Sequence, residues 1–206
     1  MQFIEFQNQF KDYLVFSLLD IQKIYPNFSQ IQLNRWKEKG YLTNVKQGYY
    51  CLSEIEANRN LLFYISNRIY FPSYISLEMA LAYYNLIPEE VFQITSVCTK
   101  KTMEYQTAIG NFIYQHIKPS IYFGYKLTEY DREHSIIIAE PEKALLDYFY
   151  LNPQISSYED FIETRINQDE FDNQINLNNF KKYLKNFGNK SLAKRMEVFM
   201  DVIRNA

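Results

Sequence analysis

Glycine and proline are scarce in this chain of 206 residues, which has 5 of the first and 6 of the second. Collagen-like, linker-like and turn-dense sandwich sequences need far more of both, so these classes are excluded. Cysteine is scarce too: Cys51 and Cys98 lie far apart, without a Cys-x-x-Cys pair or an adjacent histidine. This usage predicts a reducing compartment and two inert thiols.

The sequence also lacks a long hydrophobic run. Stretches such as 61–65 and 136–139 are far shorter than the ~20 residues needed to span a bilayer. The first twenty residues carry Glu5, Lys11 and Asp20 among scattered apolar residues, unlike a secretory signal peptide. We therefore expect a soluble cytoplasmic protein that has no membrane partner.

Neither sign of charge dominates: 22 Lys and Arg against 24 Asp and Glu give a formal net charge of −2. The protein as a whole is therefore not a nucleic-acid coat, although a local basic face is compatible with this total. With 47% hydrophobic and 22% charged residues, the composition is that of a globular protein. The length predicts one large domain, or a small module joined to a medium one.

Helix signals begin at the N-terminus, where Phe3, Phe6, Phe10, Tyr13 and Leu14 recur at helical spacing and predict a first amphipathic helix. Ser17 is placed to cap a second helix, and Asp20, at its third position, favours the positive helix end. This helix should end before Pro26, because the residue before a proline disfavours helical geometry.

A third helix is predicted over residues 30–39, capped by Ser29 and terminated by Gly40 in the left-handed conformation. Leu33 and Trp36 share one face and should be buried, whereas Gln30, Ile31, Asn34, Arg35, Lys37 and Glu38 spread over the rest of the helix. From residue 23 to 46 the chain has five Lys or Arg against a single acidic residue, a net charge of +4. This stretch is a distinct basic patch.

Two β-branched and aromatic runs, 41–45 and 49–52, flank a turn that contains Gly48, which predicts a hairpin. Three helices followed by a hairpin predict a winged helix-turn-helix over residues 1–55. In that fold the third helix enters the major groove of DNA and the hairpin touches the backbone. The expected DNA-binding residues are Ser29, Gln30, Gln32, Asn34, Arg35, Lys37, Lys39 and Lys46.

A second interpretation of this module stays open. Winged helices also serve as protein–protein modules, and a basic helix face is often simply solvated surface. The order of the elements is fairly specific for the fold, whereas no single residue in it is specific for DNA.

Residues 56–206 predict a mixed α/β domain with a helical C-terminal tail, so that the whole chain is of the α/β (α+β) class. Helices are expected at 53–70, capped by Ser53, after Ser76, and from Pro141. The tail should be helical from residue 157. Strands are expected at 92–98, 112–117, 121–125 and 134–139, the last apolar enough to be central.

Several motifs of this second part occur together. YISLEMALAYYNLIPE at 74–89 is followed by ITSV at 94–97 and TKK at 99–101, and later by FGY at 123–125 and IAEPEKALLD at 138–147. In these motifs, and in its layout, the chain resembles the AbiE-type antitoxin family, the protein half of type IV abortive-infection toxin–antitoxin pairs. The resemblance covers nearly the full length, although residues 150–206 match only in being helical.

The resemblance implies two roles. The winged helix would bind inverted repeats in the promoter of its own operon and repress transcription. The second domain would counteract a nucleotidyltransferase-type toxin without forming a stable complex with it. Antitoxins of this kind are not enzymes, so no catalytic residue, metal or cofactor is expected.

A winged-helix nuclease is a different class of function, and it needs a cluster of acidic and basic side chains. Glu140, Glu142 and Lys143 are the best candidates, because a strand end leading into a helix can hold nuclease acids and a lysine. Glu142 and Asp147 are five positions apart and do not share a helix face, so we expect one acid at the helix N-terminus and one exposed acid. His116 and His134 have no metal-like spacing, and no glycine-rich phosphate loop is present.

Overall fold

The computed structural model describes residues 1–205 and shows a mixed α/β protein built around two sheets. The first unit combines three helices with a three-stranded antiparallel sheet in the order β1-β3-β2. Its elements are α1 (Phe3–Phe10), β1 (Phe16–Ser17), α2 (Leu18–Ile24), α3 (Gln30–Glu38), β2 (Leu42–Lys46) and β3 (Tyr49–Leu52).

Local signals place α2 and α3 where the sequence predicts them, whereas α1 ends at Phe10, before the predicted Tyr13 and Leu14. Ser17 and Asp20 form a reciprocal capping box at the start of α2, each side chain accepting from the backbone of the other. The Ser29 hydroxyl accepts from the Gln32 N–H at the start of α3. Gly40 has φ +73°, the left-handed conformation expected just beyond the helix.

An aromatic core holds the unit together. Phe6 stacks on Phe10 with ring centroids 4.5 Å apart, and Trp36 lies 4.7 Å from Phe6. Leu33 is fully buried beside them. Burying a large apolar side chain contributes roughly 1.5–3 kcal/mol, so these residues fix α3 by one face and leave its other face outward.

The second unit is a six-stranded mixed sheet in the order β6-β7-β5-β4-β9-β8, with β4–β9 and β5–β7 parallel. Its strands are β4 (Ser73–Ile75), β5 (Ile94–Cys98), β6 (Met103–Thr107), β7 (Gly110–His116), β8 (Tyr125–Glu129) and β9 (Ser135–Ala139). Its helices are α4 (Arg59–Ile69), α5 (Leu77–Tyr83), α6 (Pro141–Leu151), α7 (Tyr158–Glu163), α8 (Gln168–Gln174), α9 (Leu177–Phe187) and α10 (Lys190–Asn205).

Helices cover both faces of this sheet. Ser66 of α4 bonds to Ser96 and Tyr114 on one face, while Tyr74 on the opposite face bonds to Asp147 of α6. The prediction of an interior strand near 134–139 is confirmed, since β9 lies between β4 and β8. The helical tail is confirmed as well, as α7 to α10.

The structure of this unit differs from the predictions at several points. Ser53 does not cap a helix: α4 begins at Arg59, and the Asn58 side chain caps it by accepting from the Leu61 N–H at 2.9 Å. Residues 121–125 are not a strand, because Gly124 has φ +70° and interrupts the extended backbone before β8. The strands β4 and β6 were not predicted: β4 has only three residues, and β6 is short and largely exposed.

The two units pack against each other. Val15, Val45 and Cys51 of the first unit are buried in the large core of the second. The Asp20 carboxylate, whose side chain is 10% exposed, also joins the units, because it accepts from the guanidinium of Arg68 in α4 at 3.2 Å. Asp20 therefore caps α2 and ties it to the second unit.

Stability should depend on the charge of Asp20. Burial alone would raise its pKa, but hydrogen bonds from Ser17 and Lys23 and the charge of Arg68 outweigh burial and lower this pKa to about 2. Since the pKa is lower in the folded chain, the stabilisation is present above the unfolded value near ~4 and is lost as the pH falls toward 2. We expect Asp20→Asn to lower the unfolding free energy by about 2 kcal/mol at pH 7.

Urea unfolding at several pH values measures this difference, which should shrink between pH 4 and pH 2. Asp201→Asn, in an exposed aspartate of α10, is the matched control and should leave stability unchanged. An Asp20→Asn deficit that is equally large at pH 7 and pH 2.5 would contradict the electrostatic explanation.

Candidate nucleic-acid interface

The exposed face of α3 carries most of the predicted DNA-binding side chains. Leu33 and Trp36 anchor the opposite face in the core. Asn34, Arg35 and Lys37 are exposed, as is Lys39 at the helix end. The structure therefore brings these four polar side chains together on one solvent-facing helix.

Gln30 connects this helix to the hairpin. Its amide nitrogen donates to the Tyr50 hydroxyl oxygen at 3.0 Å and to the Asn34 side-chain oxygen at 3.3 Å. Gln30 thus holds the Asn34 amide in place. Ser29 is exposed but uses its oxygen to cap the helix, and Gln32 is half-buried, so neither presents its whole side chain to a ligand.

Lys46, a predicted phosphate contact, is half-buried and has partners within the protein. Its ammonium donates to the Ile69 carbonyl at 2.7 Å and lies 4.6 Å from the centre of the Tyr105 ring and 5.4 Å from that of Tyr70. Burial lowers the pKa of this amine. The positive charge on the hairpin therefore joins the two units instead of facing solvent.

The candidate nuclease residues are not gathered into one site. The Glu140 carboxylate accepts from the Tyr183 hydroxyl, and the Glu142 carboxylate accepts from the Asn176 N–H at 2.8 Å. Lys143 points elsewhere and pairs with Asp147. Each group has its own structural partner, so the three do not converge on a common point.

Asp147 is fully buried, which corrects the prediction that it is exposed. Its carboxylate accepts from the ammonium of Lys143, one helical turn earlier, and from the hydroxyls of Tyr74 and Ser76, each at 2.9 Å. Burial raises the pKa of Asp147, and these partners oppose that rise. The Lys143 ammonium also lies 4.6 Å from the centre of the Phe187 ring.

One sequence signal could have revealed this pair. Lys143 and Asp147 are four positions apart on α6, the spacing at which helix side chains meet. Their burial depends on Tyr74, which is 73 positions from Asp147, and no local pattern shows that contact.

The histidines also have separate partners. The His134 Nδ1 lies 2.8 Å from the Asp131 carboxylate, and the His116 Nδ1 lies 2.9 Å from the Lys100 carbonyl. Within residues 1–205, no group of three or more His, Cys, Asp or Glu side chains could hold a metal ion. Over the same described range, no helix is both long and apolar enough to cross a membrane.

The chain matches no protein-family model, and a search of the curated proteins finds no match either. The similarity to AbiE-type antitoxins therefore stays a prediction from the motifs.

The effect of Lys143 on the unfolding free energy should depend on whether Asp147 is present, and the reverse. Lys143→Met leaves the Asp147 carboxylate buried without its cation, so we expect a loss of about 3–5 kcal/mol in unfolding free energy. Adding Asp147→Leu removes the orphaned charge and should recover part of that loss. Chemical denaturation of the single and double variants measures the coupling.

Lys181→Met, in an exposed lysine of α9, is the matched control and should have little effect. If the double variant is as unstable as the sum of both single variants, Lys143 and Asp147 do not stabilise each other.

Proposed function

We propose that this chain is a sequence-specific double-stranded DNA-binding protein, with residues 1–55 forming a winged helix-turn-helix. The observation that carries the proposal is α3, the third helix before a hairpin, whose Leu33 and Trp36 face is buried and whose outward face is mostly polar and basic, with Ile31 and Glu38 also exposed. A helix of this kind fits the major groove, where side chains reach the edges of bases.

The exposed side chains of α3 suit different parts of the duplex. The Asn34 amide matches the donor and acceptor pattern of adenine, and the Arg35 guanidinium matches that of guanine. Lys37 and Lys39 suit phosphates, which carry no base information. Gln30 acts as a positioning residue, because it bonds to Asn34 and to Tyr50.

We further propose that the protein is a cytoplasmic antitoxin and autorepressor of the AbiE type. Its motifs at 74–101 and 123–147 support this proposal. The first unit would repress the operon by binding its promoter. The second unit, from residue 56 onward, would counteract a nucleotidyltransferase-type toxin without a stable complex.

Substitutions in α3 should distinguish side chains that contact bases from side chains that contact phosphates. Selection from random duplexes defines the preferred sequence of the full-length protein. Asn34→Ala and Arg35→Ala should then each weaken binding to that sequence by about 1–3 kcal/mol, and binding to random DNA far less. Lys37→Ala should weaken both equally and reduce the salt slope by about 0.9.

Lys46→Ala is an informative comparison, because the Lys46 ammonium is held by the second unit. It should leave the salt slope close to that of the wild type. Equal losses on selected and random DNA for both Asn34→Ala and Arg35→Ala would mean that α3 does not face bases.

Repression and protection should be separable within the full-length chain. A fragment that begins at residue 70 would lack α4, whose Phe63 and Ile65 are buried in the core of the second unit. We therefore use Asn34→Ala with Arg35→Ala in the intact protein. This variant should lose repression of a promoter reporter and still rescue growth from a nucleotidyltransferase toxin encoded beside it.

Toxin and antitoxin are expressed from independent promoters in this assay, so that repression does not change toxin dose. Immunoblotting confirms equal abundance of the two antitoxin forms. Loss of rescue at equal abundance would show that protection requires the DNA-binding face.

A further inference from the structure

A second basic surface lies beside the hairpin, on the second unit. An open groove of about 690 Å³ is lined by Tyr70, Lys100, Lys101, Thr102 and His116, among others. Both lysines are exposed. The segment 99–102 contains them and no acidic residue.

Two backbone carbonyls of this segment have hydrogen-bond partners within the protein. The Lys100 carbonyl lies 2.9 Å from the His116 Nδ1 and accepts from the Cys98 thiol at 3.3 Å. The Lys101 carbonyl accepts from the Tyr70 hydroxyl at 2.8 Å. Because these carbonyl oxygens are already engaged, the outward charge of the segment is that of the two ammonium groups.

The nearest acidic residue in sequence, Glu104, is turned to the other face of the sheet. Side chains alternate between faces along a strand, and Tyr105, the next residue in β6, faces Lys46 of the hairpin. The Glu104 carboxylate accepts from Gln106, which shares its face. The groove is therefore not neutralised by this acid.

A continuous series of contacts joins α3 to the groove. Gln30 of α3 bonds to Tyr50 of the hairpin. Lys46, at the end of β2, lies over the Tyr70 ring, and the Lys100 ammonium lies 5.5 Å from the centre of the same ring. The hairpin thus ends against the surface that carries the exposed lysines.

We infer that the groove around Lys100 and Lys101 binds the phosphate backbone of the DNA flanking the sequence that α3 reads. In a winged helix-turn-helix the hairpin touches the DNA backbone, and here its own lysine is engaged. Lys100 and Lys101 supply the cations at this position from the second unit. Ammonium groups on exposed stems are suited to phosphate oxygens as point charges.

This inference rests on the proposed DNA binding and makes a separate prediction. In the full-length protein, Lys100→Gln with Lys101→Gln removes two phosphate contacts. The slope of log K against log salt should become shallower by about 1.8, while the selected sequence stays the same. Binding to the long selected duplex should weaken at least tenfold at low salt.

Duplex length gives the second measurement. The selected duplex is shortened stepwise from each end, and shortening one flank should weaken wild-type binding to the level of the double variant. The same shortening should leave the double variant unaffected. Lys181→Gln with Lys182→Gln, in exposed adjacent lysines of α9, is the matched control and should behave as the wild type.

The outcomes distinguish the two proposals. If the wild type selects a sequence but the double variant keeps the wild-type salt slope, the groove does not bind phosphate and only this inference is overturned. Equal losses of binding affinity on long and short duplexes would also overturn only this inference. If the wild type selects no sequence and shows no salt dependence, the proposed DNA binding fails and the groove assignment fails with it.

Discussion

The position of Lys46 determines how the two units of this protein are arranged. Its half-buried ammonium donates to one carbonyl and lies over the rings of Tyr49, Tyr70 and Tyr105. A cation on an aromatic face contributes roughly 0.5–2 kcal/mol, more as it is withdrawn from water, and the charge-assisted hydrogen bond to Ile69 adds to that. These directional contacts fix the hairpin against the second unit.

This arrangement changes what the module can do. A winged helix on a flexible linker would present α3 alone, whereas here the hairpin is held by Lys46 and α2 by the ion pair of Asp20 with Arg68. Val15 and Val45 lie in the larger core. The exposed face of α3 therefore keeps a defined position relative to the second unit.

The sequence predicts the first unit well because its signals are local. Ser17 and Asp20 are three positions apart, Ser29 caps the helix that follows it, and Gly40 ends that helix. Prediction failed where a partner is distant in the chain. The carbonyl that accepts from Lys46 is 23 positions away. The charge of Lys46 and its place in the hairpin favoured a phosphate contact, and no local pattern showed that its ammonium has a partner in the second unit.

The environments of the individual lysines show why a count of charges does not identify a binding surface. Lys143 is paired in the core with Asp147, and Lys46 is enclosed by tyrosines where the units meet. Lys100 and Lys101 are exposed, and their backbone carbonyls have hydrogen-bond partners within the protein. An ammonium group can exchange counterions for DNA phosphates only while it remains in water. The basic surface of this protein is therefore defined by the lysines and arginines that the fold leaves exposed, and those belong to both units.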